Sequence, residues 1–332
     1  MTIDWIGVDW GTSNLRAWAF DGTGRPLGPA RGGPGMGGLA GQGAEAFETA
    51  LVAALGDWLD GVAEGVRLPV LVCGMAGARQ GWQEAPYLDL PLPLDWLGAG
   101  ALEVGTRDPR IAVAIVPGLA QRDPAAPDVL RGEETQILGF LAGRGAGAGQ
   151  GAGMGAGMGD WALCLPGTHS KWVSVSRGIL RSFRTYMTGE LFGLLAGQSI
   201  LRHSVGGAGA TDPEAFAVGV REALAAPAEV PARLFGLRAR HLLFGEAGAA
   251  ARSRLSGLLI GQELASAATW PGGPAPSAGV AVIGDDSLAA LYVEALGIAG
   301  CTPETVSGGT AVIAGLAALR RGRTEEGPKC AN

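Results

Sequence analysis

The stretch IGVDWGTSNLRAWAF, residues 6–20, decides how the rest of the chain is read. Ile6–Asp9 is a short apolar run ending in a carboxylate. Gly11-Thr12-Ser13-Asn14 has the composition of a tight turn. Leu15–Phe20 alternates as a returning strand, with Leu15, Ala17 and Ala19 on one side and Arg16, Trp18 and Phe20 on the other. The stretch predicts a β-hairpin whose turn carries glycine and hydroxyls. Alone it could be no more than a turn, but the pattern returns. Trp161–Leu165 is apolar, Pro166-Gly167-Thr168-His169-Ser170 reads as a turn, and Lys171–Ser176 as the strand leaving it. Both turns hold Gly-Thr, then small polar residues, a basic residue and a tryptophan. A repeat at this distance predicts two similar domains, each opening with a hairpin, unlike a Rossmann unit, which opens strand-helix-strand.

Around the hairpins, strands alternate with helices. In the first half a helix is predicted from Ala44 to about Gly61, buried strands at Pro69–Met75 and Ile111–Pro117, and a helix at Arg131–Leu141. In the second half helices are predicted at Glu190–Leu201, Pro213–Leu224, Leu255–Ala268, Ser287–Leu296 and Thr310–Leu319, with a strand at Val280–Ile283. The run GRGAGAGQGAGMGAGMG, residues 143–159, has almost no side chain to bury and reads as a flexible loop. The expected organisation is a first domain over 1–142, the glycine-rich loop over 143–160, a second domain over 161–320 and a polar tail over 321–332.

A length of 332 residues suits two domains, and 47% hydrophobic against 17% charged residues describes a globular chain. The net charge of −6, with no basic stripe, argues against nucleic acid as a partner. Met1–Trp5 lacks the basic start of a secretory signal, and no apolar run reaches the ~20 residues that span a bilayer. No membrane partner is expected, and the expected location is the cytoplasm. Cys73, Cys164, Cys301 and Cys330 form no CxxC pair and read as small, reduced residues.

Hairpin turns of this kind suit phosphate, because glycine lets backbone N–H groups approach and hydroxyls add donors. Two turns facing each other across a central cleft could grip the β- and γ-phosphates of ATP. Gly11, Thr12, Ser13, Asn14 and Arg16 would serve from one side, and Gly167, Thr168, His169, Ser170 and Lys171 from the other. Asp9 would sit near Mg²⁺ and act through water. Gly284, Asp285 and Ser287, with Gly308, Gly309 and Thr310 at the last helix, read as an adenosine cradle or as plain helix caps. Glu133 and Glu134 open a helix, where the macrodipole alone would favour acids. The chemical reading makes one of them the general base, Glu133 first and Glu134 second. Consecutive helical residues point about 100° apart, so position does not separate them. His203 and His241 read as structural.

With these residues the chain resembles the 2-dehydro-3-deoxygalactonokinase family of the actin/hexokinase-like ATPase superfamily. The resemblance rests on IGVDWGTSNLRAW, CGMAG with GWQEAPYL, IVPGL, RGEETQILG, LPGTHSKWV, FRTYMTGELF and LSGLLIGQE, in order along nearly the whole chain. It implies an α/β, two-domain actin-like ATPase (ribonuclease H-like) fold with duplicated βββαβαβα units around a central cleft. It implies ATP and Mg²⁺ as cofactors. It also implies transfer to the 6-hydroxyl of 2-dehydro-3-deoxy-D-galactonate, in D-galactonate and galactose breakdown. Asp9–Arg16 and Pro166–Lys171 match the superfamily's two phosphate motifs, and Gly284–Ser287 and Gly308–Thr310 its adenosine region. The Glu133/Glu134 pair lies near where related sugar kinases hold a catalytic Asp. A sugar acid needs a cation for its carboxylate and acceptors for its hydroxyls. Gly77, Trp82 and Tyr87 in one loop, and Arg184, Thr188 and Glu190 in another stretch, are the candidates, with surface exposure or core packing as the plainer readings. A related phosphohydrolase, a kinase for another 2-keto-3-deoxy acid and a nucleotide-binding regulator are the rivals. A homodimer stays open.

Overall fold

A strand that is apolar on both faces belongs inside a sheet covered on both sides. In the computed structural model, which describes residues 2–145, 159–206, 211–271, 273, 278–284 and 286–324, residues 5–10 take that place. In chain order the elements begin β1 (Trp5–Trp10), β2 (Asn14–Phe20), β3 (Arg31–Pro34), α1 (Met36–Leu39), α2 (Ala44–Leu55) and β4 (Leu68–Gly74). β5 (Tyr87–Asp89), β6 (Leu92–Pro93), β7 (Leu102–Val104), β8 (Ile111–Ile115), β9 (Gly118–Gln121), β10 (Asp128–Leu130) and α3 (Glu133–Gly145) follow. Then come β11 (Asp160–Leu165), β12 (Ser170–Ser176), β13 (Ile179–Tyr186), α4 (Thr188–Gly197), α5 (Pro213–Ala225) and α6 (Val230–Phe244). The chain closes with α7 (Gly248–Thr269), β14 (Gly279–Gly284), α8 (Asp286–Ile298), β15 (Glu304–Ser307) and α9 (Gly308–Thr324).

The described chain divides into two units. The first holds the described residues up to 145 with 176–181 and 308–324, and the second holds 159–175 with the described part of 182–307. The first unit's main sheet runs β3-β2-β1-β4-β8-β7, and a small sheet runs β10-β9-β5. β1 is antiparallel to β2 and parallel to β4, so Asp9 faces Arg16 across one ladder and Cys73 across the other. The second unit's sheet runs β13-β12-β11-β14-β15, with β11, β14 and β15 parallel. Both sheets thus place their first three strands in reverse order and add later parallel strands beside the first. The two units therefore share one α/β arrangement, the duplication expected from the sequence.

Several boundaries differ from expectation for local reasons. α2 stops at Leu55 because Gly56, at φ +50°, takes a conformation closed to other residues, and a 3₁₀ turn follows. α4 ends at Gly197, short of Leu201, with a separate turn at Ile200–His203. α7 begins at Gly248, seven residues before Leu255. α6 was not expected at all. It buries only Val230 and Leu237 and leaves Phe235, Leu242, Leu243 and Phe244 exposed, so it carries no clean apolar stripe. Residues 146–158 of the glycine-rich run, the tail from 325 and Cys330 lie outside the described residues. Among the described residues no helix is long and apolar enough to cross a membrane, and Cys73, Cys164 and Cys301 are free thiols.

The expected second domain also loses its last helix, because α9 packs on α3 in the first unit. Two glycines make this approach possible. A Cβ on Gly139 would overlap the Ala311 carbonyl, and one on Gly315 would overlap the Thr135 carbonyl. The helices therefore touch backbone to backbone, and the contact fixes the helix that starts with the acidic pair. Gly139→Ala should destabilise the protein by about 1–3 kcal/mol, the usual cost of overpacking. A denaturant midpoint equal to that of the unaltered protein would show that the two helices can part.

Candidate active site

The first turn is braced from behind. Its Gly11, Thr12 and Ser13 carbonyls accept the N–H groups of Met36, Gly37 and Gly35 at 3.0, 2.8 and 3.2 Å. A Cβ on Gly35 would overlap the Ser13 backbone. The Gly11 N–H donates to the Asn14 carbonyl at 2.9 Å, and Thr12, Ser13 and Asn14 are exposed, so the turn offers its hydroxyls to solvent while its carbonyls are engaged. That is the polarity an anion needs. Arg16 does not point freely outward: its Nη2 donates to Asp9 Oδ2 at 2.6 Å. Arg16, expected at phosphate, forms an ion pair with Asp9 across the β1–β2 ladder, and its side chain stays 43% exposed.

The acidic pair lies in the same unit, opening α3. Glu133 accepts the Arg131 N–H at 3.0 Å and is half-buried. Glu134 is fully buried, and it accepts the Gly132 N–H at 2.6 Å and the Thr135 hydroxyl at 3.2 Å. Loss of water, then repulsion from Glu133, push the Glu134 carboxyl up to about 8. Burial raises the Cys73 thiol as well, with Asp9 and Glu134 adding repulsion. These influences put Asp9, Cys73 and Glu134 in one neighbourhood at the end of β4. Gly74, at φ +90°, lets β4 approach β1 closely there, since a Cβ would lie 2.7 Å from the Trp10 carbonyl.

The second turn repeats the bracing. The Glu190 N–H donates to the Thr168 carbonyl at 2.9 Å, and a Cβ on Gly189 would lie 2.5 Å from the Gly167 carbonyl. The start of α4 thus backs this turn as the start of α1 backs the first. Thr168 and His169 are exposed, and His169 Nε2 meets Glu190 Oε2 at 2.5 Å. Ser170 and Lys171 are not exposed donors. Ser170 is fully buried with its hydroxyl 2.7 Å from the Tyr292 hydroxyl, and Lys171 is buried with Nζ 3.4 Å from the His169 carbonyl.

Sequence reasoning missed the group that organises this region. Glu263 of α7 is 3% exposed and accepts Trp172 Nε1 at 2.9 Å, the Tyr292 hydroxyl at 2.8 Å and the Thr188 hydroxyl. Burial raises its carboxyl, while these donors pull the other way. Thr188, expected at substrate, gives its hydroxyl to Glu263 and also borders the cavity of the second unit. The only available signal was one acid on the buried stripe of LSGLLIGQE.

The other candidates separate. Trp82 is a core residue, edge-on to Trp10 at 6.0 Å, because the loop folds back under β1. Gly77 and Tyr87 instead converge on Arg131. Arg184 belongs to the second unit, 5.6 Å from the Trp270 ring. Gly284 and Ser287 fall in the second unit, and Gly308, Gly309 and Thr310 in the first. Asp285 lies outside the described residues. The second unit also contains a cavity of about 250 Å³ lined by Gly167, Thr188, Phe216, Ser256, Leu291 and Tyr292 among others.

Comparison with known proteins gives a consistent result. The family model described as 2-keto-3-deoxy-galactonokinase matches residues 9–319. The chain is 40% identical over 319 residues to a protein of Rhizobium meliloti (strain 1021) that bears the name 2-dehydro-3-deoxygalactonokinase, covering 96% of each. It is 34% identical over 323 residues to the 2-dehydro-3-deoxygalactonokinase of Escherichia coli (strain K12), covering 96% of this chain and 98% of that one. The crystal structure of a protein from Sinorhizobium meliloti that carries the 2-dehydro-3-deoxygalactonokinase name superposes with a TM-score of 0.82 at 39% identity, covering 96% of this chain and 98% of that one.

Proposed function

The chain belongs to the 2-keto-3-deoxy-galactonokinase family, and from that premise we propose that it transfers the γ-phosphate of ATP to the 6-hydroxyl of 2-dehydro-3-deoxy-D-galactonate. The observation that carries the reading is the repeated bracing. Two turns of one composition, one in each unit, are braced through backbone carbonyls, three in the first turn and that of Thr168 in the second, and leave Thr12, Ser13, Asn14, Thr168 and His169 exposed. Anion-binding turns explain that repeat, and simple chain reversal does not.

In this reading the exposed donors of Thr12 and Ser13, and those of Thr168, serve phosphate oxygens. Glu133 accepts the proton of the attacking hydroxyl as the new O–P bond forms and the bond to the β-phosphate oxygen breaks, releasing ADP. Glu133 is preferred to Glu134 because Glu134 is enclosed and its oxygens are occupied. The cavity beside Gly167 in the second unit, mostly apolar and bordered by α8, suits the nucleoside part.

Among the described residues no group of three His, Cys, Asp or Glu side chains could hold a metal ion. Mg²⁺ takes one or two carboxylates and keeps several waters, so a single carboxylate is enough to hold it. Asp9, 15% exposed, would hold it through water, and when bound it would offset phosphate charge. The same reading makes the enzyme a cytoplasmic catabolic kinase.

The test is a panel of 2-keto-3-deoxy sugar acids with ATP and Mg²⁺, read by ADP release and by the position of phosphate in the product. ADP release should require the sugar acid, with 2-dehydro-3-deoxy-D-galactonate giving the highest kcat/KM and a 6-phosphate product. Equal phosphate release without any sugar would make the protein a phosphohydrolase.

A further inference from the structure

Arg131 stands out among the buried polar groups. It is 9% exposed, at the turn between β10 and α3. Its Nη2 donates to the Ala85 carbonyl at 2.7 Å, and its guanidinium lies over the Tyr87 ring at 4.3 Å. Its Nε and Nη1 are buried and meet no hydrogen-bond acceptor among the described residues. The surrounding chain is shaped around it: a Cβ on Gly77 would sit 2.6 Å from Nη1. Burying a charged group with unfilled donors is costly. A fold that keeps such a group, and clears a glycine for it, needs an acceptor that the described residues do not supply.

We infer that Arg131 is the residue that recognises the substrate's carboxylate. The inference rests on the kinase reading above and extends it to specificity. A carboxylate brings the opposite charge and four lone pairs to a guanidinium, so it is the acceptor best matched to the unfilled donors. Position agrees. The Arg131 backbone N–H is held by Glu133, so the proposed carboxylate anchor and the proposed proton acceptor belong to one turn. Gly77 and Tyr87 then act through Arg131, one by leaving room and the other by stacking. Because both nitrogens are buried, binding in this proposal requires the chain around Arg131, at residues 76–87, to move. Arg184 is a poorer anchor, since its guanidinium lies near Trp270 in the second unit.

The experiment compares the sugar acid with its C1 carboxamide in the whole enzyme and in Arg131→Lys. The unaltered enzyme should favour the acid by 10-fold or more in kcat/KM, a typical margin for a charge-assisted hydrogen bond. Arg131→Lys should raise KM for the acid about 10- to 100-fold, leave KM for ATP within about twofold, and narrow the acid-to-amide ratio. Hydrogen exchange in residues 76–87 should change when the acid is added without ATP. An unaltered enzyme that uses acid and amide equally overturns the inference, and this arm needs no variant to fold. So does a folded Arg131→Lys enzyme that keeps the full ratio, as a water-bridged structural arginine would. An unaltered enzyme that phosphorylates no sugar acid removes the kinase reading itself, and the inference with it.

Discussion

Asp9→Asn lowers kcat by a factor on the order of 10³ or more, while the melting temperature moves little. The substitution keeps the shape of the side chain and one hydrogen-bond acceptor but removes the charge. Structurally the loss is small. The Arg16 partner is 43% exposed, and half-exposed ion pairs contribute about 0–1 kcal/mol. Asp9 is the last but one residue of β1, whose other residues are apolar and buried, and those hold the hairpin. Catalytically the loss is large, because the charge lies beside the exposed donor turn where a metal-bound polyphosphate would lie. Steady-state kinetics with the sugar acid, together with a thermal melt, check both halves. A variant with turnover within tenfold of the unaltered enzyme would remove Asp9 from the phosphate site. A variant that melts far lower would mean that the Asp9–Arg16 pair holds the hairpin, and any loss of activity would then say nothing about metal.

How much of this could be read from the chain depends on where each interaction is encoded. The hairpins are local: an apolar run, a glycine-hydroxyl turn and an alternating return lie within 15 residues, so both are legible. The bracing of the turns is not, because Gly35–Gly37 and Gly189–Glu190 lie about 20 residues further on and carry no distinctive pattern. The attachment of α9 to α3 depends on Gly139 and Gly315, which look like ordinary helix-weakening glycines until the helices are seen in contact. Glu263 and Arg131 are single charged residues whose meaning comes from what surrounds them in space. Sequence reasoning placed Thr188, Ser170 and Trp82 at the ligand because their types suit ligands. Tertiary structure commits the first two to the Glu263–Tyr292 cluster and the third to the Trp10 core.

Glu133→Gln and Glu134→Gln should fail in different ways. If Glu133 accepts the hydroxyl proton, Glu133→Gln lowers kcat about 10²- to 10⁴-fold at every pH, with little change in stability. Glu134→Gln should leave turnover near neutral pH much closer to normal, because Glu134, pushed up to about 8, already carries a proton there and glutamine resembles that form. Its effect should appear in stability against pH. The folded value is raised above the ordinary 4.5, so between about 4.5 and 8 the folded state holds a proton that the unfolded chain has released. The stabilisation from Glu134 is complete below that window. It falls as pH rises through it, by up to about 1.4 kcal/mol per pH unit, and is gone above about 8. Glu134→Gln lacks this loss, so its stability relative to the unaltered protein should climb from pH 5 to pH 8.5 in denaturant titrations. A constant difference across that range would mean that Glu134 is ionised in the folded protein. Joined to a large loss of turnover in Glu134→Gln and a small one in Glu133→Gln, that result would move the proton-accepting role from the half-buried glutamate to the enclosed one.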